Sequence, residues 1–173
     1  MSKRIYRPPS RREIEKIIPV FMLDTVNKIS ASDRAVGWMA LQIYKCAEEQ
    51  KWYPALASLF LLAEQVVRWA SDANIKETFY HIINRALEEK LITQSEAQML
   101  HKMREYRNGY LHADFHASAF EIGGLMYQVN DEETAGALFG MLAPSCFNLI
   151  YKLTTSVFGS FADLQNGENI NCL

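Results

Sequence analysis

The chain is short of the residues that break helices, with eight glycines and five prolines among 173 residues. Together these make up about 8% of the chain, against roughly 12% in an average protein. β-Sandwiches and barrels need frequent turns, so this scarcity argues against them and favours helices. The length predicts one domain. A domain of this size buries about 70% of its unfolded surface, so it can fold without disulfides or a structural metal.

Cysteine is also scarce, and its three copies are far apart in the sequence. Cys46, Cys146 and Cys172 form no CxxC pair and no Cys/His spacing typical of a zinc site. We therefore expect free thiols in a reducing cytoplasm, with no metal and no cofactor. The first residues, MSKRIYRPPSRRE, lack the apolar segment of a secretory signal peptide, which favours a cytoplasmic location.

Long hydrophobic runs are nearly absent as well. The one uncharged stretch of note covers residues 134–151, and its 18 residues are close to the lower limit for crossing a bilayer. Two glycines, a proline and several polar side chains dilute its hydropathy. We therefore expect a helix buried in the core of the domain and no membrane span.

The net charge of −2 is unevenly distributed along the chain. The first twelve residues carry five basic side chains and no acidic one. Such an arm can contact nucleic-acid phosphates, although a solvated tail is the commoner role of a charged terminus. The sequence thus predicts a basic arm over residues 1–12, a single domain over 13–162 and a polar tail over 163–173.

Helix signals are frequent along the domain, and the sequence contains no internal repeat. Capping residues and a 3.6-residue apolar period mark most of the helices. The predicted starts, in chain order, are Ser10 (ending at Ile17), Pro19, Ser32, Pro54, Asn74 (for a helix over 75–90), the capping box at Thr93 and Glu96, and the pair Asn130 and Glu133. The two consecutive glycines at 123–124 predict a loop followed by a short extended piece. We expect an all-α helical bundle.

An arginine on an apolar helix face is the first unusual feature. On a helix, Leu100, Met103 and Arg107 fall along one side, which should face the core. An isolated buried charge is too costly, so Arg107 must meet a carboxylate, a cleft or another chain. Glu64 is one candidate partner, although Arg68, four residues further on, can also pair with Glu64.

A polar stripe lies beside that arginine on the same predicted helix. It contains His101, Arg104, Asn108, His112 and, one turn further, His116. Histidine can act as an acid or a base near neutral pH, and arginine can hold phosphate oxygens. These residue types suit metal-independent cleavage of RNA. His112 and His116 can also grip a metal, but the segment lacks the glutamate of an HExxH motif.

The spacing within the motif predicts a dimer. Arg107 and His112 are five residues apart, so about 140° separates their directions on an ideal helix. One helix does not easily aim both at a single phosphate. Two copies packed about a two-fold axis can bring their motifs into one cleft, so we expect a homodimer with this helix at the interface.

The run Arg107-Asn108-Gly-Tyr-Leu-His112 resembles the signature of HEPN domains, in which histidine follows arginine by a few residues. The upstream runs LAEQVVRWA, KETFYHIINRALEEKLI and TQSEAQMLHKMREYRNGYLH are similar to the usual HEPN order, so the resemblance covers about residues 52–115. It implies an up-and-down bundle and a homodimer. In active members it implies metal-independent endoribonuclease activity, often in toxin–antitoxin or antiphage systems.

The resemblance also implies roles for single residues. Arg107 and His112 match the catalytic pair and Asn108 the accessory polar residue. Glu64, Arg104, Tyr110 and His116 are further candidates for the site, and Tyr110 can stack on a base or simply pack. The expected partners are RNA, a second copy of the chain, and an antitoxin or other regulatory protein.

Two other function classes remain open from the sequence. The first is a catalytically silent HEPN module that binds RNA, a nucleotidyltransferase-like partner or another protein through the same helix. The second is an unrelated helical adaptor in which the histidine cluster has no role.

Overall fold

The computed structural model describes residues 7–17, 34–111, 119–122, 125–129 and 131–158. The elements in chain order are α1 (Arg11–Ile17), α2 (Arg34–Glu48), α3 (Trp52–Ala70), α4 (Phe79–Glu88), α5 (Gln94–Leu111), β1 (Ala119–Ile122), β2 (Leu125–Gln128) and α6 (Glu132–Phe158). The all-α class is confirmed. The predicted extended piece belongs to a small antiparallel hairpin in which Ile122 pairs with Leu125. The predicted helix at Pro19 lies outside the described residues.

Helix α3 is the centre of the bundle and packs against α2, α4, α5 and α6. It is apolar around most of its circumference, so side chains such as Leu59, Leu62 and Val66 are completely buried. Its most extensive partner is α6, whose Phe139 and Phe147 lie in the same core. Helix α3 therefore forms the core to which the other described helices contribute.

The long helix α6 contains the uncharged stretch that the sequence placed in the core. By length and composition the span Glu132–Val157 could cross a membrane, and 61% of its most apolar window is buried inside the structure. Pro144 lies within the helix, which continues past it to Phe158. Burial against α3 accounts for its hydropathy, because a core helix needs the same apolar composition as a span.

The helix starts predicted at Ser10 and Thr93 are confirmed, because α1 begins at Arg11 and α5 begins at Gln94. The carboxylate of Glu13 accepts hydrogen bonds from the backbone N and the hydroxyl of Ser10, at 2.8 and 2.6 Å. These bonds hold the pKa of Glu13 at about 2. At the start of α5, Glu96 accepts from the Thr93 backbone N at 2.6 Å, while Thr93 Oγ1 accepts from the Glu96 backbone N at 3.3 Å.

Three helix starts differ from their predictions, the first being α3, which begins at Trp52 and not at Pro54. Helix α6 is capped by Asp131, whose Oδ1 accepts from the Thr134 backbone N at 2.7 Å, so the prediction of a cap by Asn130 with Glu133 was wrong. The predicted helix over 75–90 begins only at Phe79. Asn74 instead closes a turn by accepting from the Lys76 backbone N at 3.0 Å, and Thr78 is extended, which delays the helix.

At three helix ends, a residue other than glycine adopts the left-handed backbone conformation. Gln50, Asp72 and Lys90 adopt positive φ angles of 57°, 47° and 60° just after α2, α3 and α4. This is the position where glycine is usual, because a side chain there costs about 1 kcal/mol. The backbone bonds that close a helix end are nevertheless made, for example from the Lys51 N to the Cys46 O at 2.7 Å.

Part of the predicted basic arm lies on the bundle. Pro9 is buried, and Arg7 and Arg11 pair with Glu13 at 3.1 Å and with Glu48 at 3.4 Å. Residues 7–12 thus contact the domain, because Pro9 is buried and α1 already starts at Arg11. Residues 1–6 and the predicted tail over 163–173 lie outside the described residues.

The cysteines behave as the sequence predicted within the described part of the chain. Cys46 and Cys146 are free thiols, and Cys172 is not among the described residues. Cys146 is fully buried beside the sulfur of Met103 at 3.5 Å, and burial raises the pKa of its thiol to about 12. Cys146 is therefore a core residue and not a reactive thiolate.

Helix α6 approaches the start of α3 so closely at Gly136 that a larger residue fits only if its neighbours shift. A Cβ atom there would lie 2.7 Å from Cδ1 of Trp52 and 2.8 Å from Cβ of Pro8. Trp52 cannot easily retreat, because its side chain is buried and its ring centroid lies 5.6 Å from that of Phe139. We expect Gly136→Ala to lower the free energy of unfolding by about 2 kcal/mol, as overpacking does.

The matched control is Gly140→Ala, one turn further along the same helix. Its nearest contact would be Cδ of Pro9 at 3.3 Å, so the gain in helix propensity, up to about 1 kcal/mol, offsets the crowding. Urea denaturation of both variants measures the difference. Equal stabilities would contradict the close approach at Gly136.

Candidate functional site

The motif helix α5 turns one side towards the core, as its apolar period predicted. Leu100, Met103 and Tyr106 are buried. The ring of Tyr106 packs edge-on against Phe60 at 5.6 Å and lies 5.9 Å from Phe120, so this tyrosine has a packing role. Arg107 follows directly on this side, at the end of the buried stripe, where its side chain remains 24% exposed.

Arg107 meets a carboxylate of the central helix. Its Nη1 donates to Oε2 of Glu64 across the α3–α5 contact. The other oxygen of Glu64 accepts from Nε and Nη2 of Arg68, at 3.1 and 2.8 Å. Both pairings that the sequence left open for Glu64 therefore occur together, one on each oxygen. Arg68 is further fixed by donating to the Glu77 carbonyl at 3.0 Å.

This triad carries an excess of positive charge. Two guanidinium groups share a single carboxylate, so Glu64, Arg68 and Arg107 have a net charge of +1. All three side chains are largely buried, with exposed fractions of 12, 20 and 24%. Burial lowers the pKa of Arg107, but a guanidinium remains protonated in proteins. The partly exposed end of the triad is thus suited to an anion.

Asn108 extends the polar end of the triad. Its Oδ1 accepts a hydrogen bond from Nη2 of Arg107 at 3.3 Å. The Nε atom of Arg107 is buried and has no hydrogen-bond partner among the described residues. The contacts with Glu64 and Asn108 fix the plane of the guanidinium while leaving N–H groups on both Nη atoms for another acceptor.

The described geometry does not extend to the last histidines of the motif. His112 and His116 lie outside the described residues, and so does the side chain of Tyr110. Their roles, and the predicted meeting of Arg107 with His112, remain predictions from the sequence. The structure brings together Glu64, Arg107 and Asn108 among the predicted site residues.

Arg104 belongs to a second polar cluster, between α4 and α5. Its guanidinium lies 5.5 Å from the ring centroid of Tyr80, and the imidazole of His101 lies 5.2 Å from the same centroid. Oδ1 of Asn84 accepts from Nε2 of His101 at 3.2 Å. Burial lowers the pKa of His101, and the charge of Arg104 lowers it further, which favours the neutral imidazole.

The sequence reasoning missed Tyr80 and Asn84 in this cluster. A signal was present, because the two residues are four apart and therefore lie on the same face of α4. Nothing local indicated that this face would meet the His101 and Arg104 stripe of α5.

An apolar pocket of about 90 Å³ lies next to the triad. Its wall is formed by Tyr53, Leu56, Ala57, Phe60, Leu61, Tyr106 and Arg107. Leu61 is 43% exposed at its edge. Arg107 thus belongs to the charged triad and also lines an apolar depression large enough for one side chain.

Metal binding finds no support in the described part of the chain. No group of three or more histidine, cysteine, aspartate or glutamate side chains in those residues is arranged to hold a metal ion. The chemistry that these groups can perform is anion binding by guanidinium and amide.

Comparison of the chain with protein-family models, with curated proteins and with solved structures finds no match.

Proposed function

We propose that the protein is a HEPN-type, metal-independent endoribonuclease. The observation that carries the proposal is Arg107 at the exposed end of the Glu64 triad, because two arginines on one carboxylate leave a positive charge beside Asn108. A phosphodiester supplies the anion that would balance this charge. The run from Arg107 to His112 places a histidine one turn further along the chain.

Each residue type has a role in cleavage by a ribose hydroxyl. A neutral His112 imidazole takes the proton of the 2′-hydroxyl, whose oxygen attacks the adjacent phosphorus. The bond from phosphorus to the 5′ oxygen breaks, and a protonated imidazole gives that oxygen its proton. Arg107 holds the non-bridging oxygens as negative charge develops, and Asn108 orients the guanidinium. The products are a 2′,3′-cyclic phosphate and a 5′-hydroxyl.

A homodimer would supply both imidazoles. In the proposed assembly α5 lies at the two-fold interface, so that the two copies of His112 act as base and acid in one cleft. A stable interface of this kind buries on the order of 1,200 Å² or more in total. The apolar pocket beside Arg107, with the exposed Leu61 at its edge, is suited to receive a side chain of the second copy.

The cellular role that we propose is a toxin or antiphage effector acting in the cytoplasm. An RNA-cleaving enzyme with no cofactor requirement needs restraint, which an antitoxin or other regulatory protein would provide by covering the motif helix.

The direct test is cleavage by the purified full-length chain in excess EDTA. We expect single-stranded RNA to be cut with 2′,3′-cyclic phosphate or 3′-phosphate ends, since imidazole, guanidinium and amide groups need no metal. End analysis by mass spectrometry of the fragments identifies the products. Inhibition by EDTA, or 5′-phosphate ends, would contradict the proposed chemistry.

A second candidate is a catalytically silent HEPN module in which the apolar pocket holds a side chain of another protein and not of a second copy. A depression lined by Leu56, Phe60 and Leu61 fits an apolar side chain better than a phosphate. Wild-type protein that binds RNA or a partner chain but never cuts RNA would support this candidate over the enzyme.

A further inference from the structure

The cluster around Tyr80 has the composition of a site for an unpaired base. Tyr80 lies on α4, and 48% of it is exposed to solvent. Its ring is surrounded by a guanidinium at 5.5 Å and imidazoles at 5.2 Å (His101) and 5.5 Å (His81). Aromatic rings with an arginine beside them are the usual stacking surfaces for single-stranded nucleic acid.

The cluster also has uncommitted hydrogen-bonding capacity. The guanidinium of Arg104 comes no closer than 3.7 Å to the Glu105 carboxylate, and the side chain is 23% exposed, which leaves Nη groups for another acceptor. Nδ1 of His101 is buried without a partner among the described residues, because the Asn84 amide engages the other ring nitrogen. Arg104 can therefore bind a phosphate while Tyr80 contacts the base.

The position of the cluster connects it to the motif. Arg104 and Asn108 are four residues apart, so they share one face of α5, about 6 Å from each other along the axis. Arg107 donates to that same Asn108. A strand whose phosphate is held by Arg107 would thus bring a neighbouring nucleotide to Tyr80.

We infer that Tyr80, with Arg104 and His101, forms a stacking site for the base of an unpaired nucleotide one or two positions from the phosphate held by Arg107. This inference rests on the proposed function, since it assigns the substrate as single-stranded RNA. Stacking is tolerant of base identity, so the site positions the strand without selecting a sequence.

The test uses full-length protein carrying His112→Ala, which should bind RNA while cutting it only slowly. In this background, Tyr80→Ala should weaken binding of a fluorescent single-stranded RNA about tenfold by anisotropy. Tyr80→Leu keeps an apolar contact with α5 and should lose as much, whereas Tyr80→Phe keeps the ring and should bind within about twofold of the parent. A 2-aminopurine beside the cleavage position should show quenching that Tyr80→Ala removes.

The chain offers a matched control in Trp38. This ring is 57% exposed on α2 and has the Lys45 ammonium 5.5 Å from its centroid, the same arrangement at a different place. Trp38→Ala should leave RNA affinity unchanged. An equal loss in both variants, or an unchanged affinity of Tyr80→Ala with a parent that binds RNA, overturns the stacking site alone. A wild-type chain that neither binds nor cuts RNA overturns the proposed function together with it.

Discussion

Replacing His112 by alanine should lower the rate of RNA cleavage by about 10²–10⁴-fold, because the two His112 imidazoles of the proposed dimer move the protons of the reaction. Arg107→Ala should lose a similar factor through the charge that develops on phosphate. Arg107→Lys should also be strongly impaired, since lysine lacks the planar fork that binds two oxygens at once. Arg107→Ala should still fold, because Glu64 keeps its pairing with Arg68.

Single-turnover cleavage assays on the purified variants measure these losses. RNA binding should largely persist in His112→Ala, because a neutral imidazole releases few counterions. His116→Ala is the control on the same segment and should lose far less activity. Growth of cells that express the wild type or His112→Ala gives an independent readout of toxicity. Full cleavage by both the Arg107 and the His112 alanine variants would place the activity elsewhere.

Removing the carboxylate of Glu64 should destabilise the fold by about 3 kcal/mol, since it leaves two largely buried guanidinium groups without their counter-charge. Arg68→Ala and Arg107→Ala should each cost less, because the carboxylate retains one partner. The expected order therefore places Glu64→Ala as the least stable of the three variants. Glu64→Gln should lie between Glu64→Ala and the wild type, because the amide oxygen still accepts a hydrogen bond.

Urea denaturation followed by circular dichroism gives these stabilities. The matched control is Lys152→Ala, which breaks the contact with Glu96 at 2.8 Å, where the lysine is 45% exposed. An exposed pair of this kind contributes less than about 1 kcal/mol. A Glu64→Ala variant as stable as Lys152→Ala would show that the triad does not stabilise the bundle.

Local patterns in the sequence predicted most of the described helices and the side of the motif helix α5 that faces the core. The capping pair Thr93 and Glu96 was readable because both residues lie within one turn, and each satisfies a backbone group of the other. The period of Leu100 and Met103 placed Arg107 on the core side of α5, and the cost of burying a lone charge required a partner for it. These inferences depend on contacts that span a few residues only.

Local patterns did not predict a helix start where several polar side chains can accept the same backbone hydrogen bond. Asp131 caps α6 in place of the pair predicted from Asn130 and Glu133, since several polar residues precede that helix and its backbone geometry selects one of them. Asn74 was a plausible cap for α4, but it closes the preceding turn, and the helix starts only after the extended Thr78. A sequence pattern does not distinguish a turn from a first helical turn with the same side-chain hydrogen bond.

Contacts between distant segments were decided by the tertiary structure alone. The sequence left Glu64 with a choice between Arg68 and Arg107, and packing of α3 against α5 allows both because a carboxylate has two oxygens. Glu132 contacts the start of α3, 80 residues away, and Tyr80 meets Arg104 only because α4 and α5 lie side by side. Helical periodicity specifies which residues share a face of one helix. Which neighbouring helix that face contacts depends on packing of the whole core, to which every helix contributes.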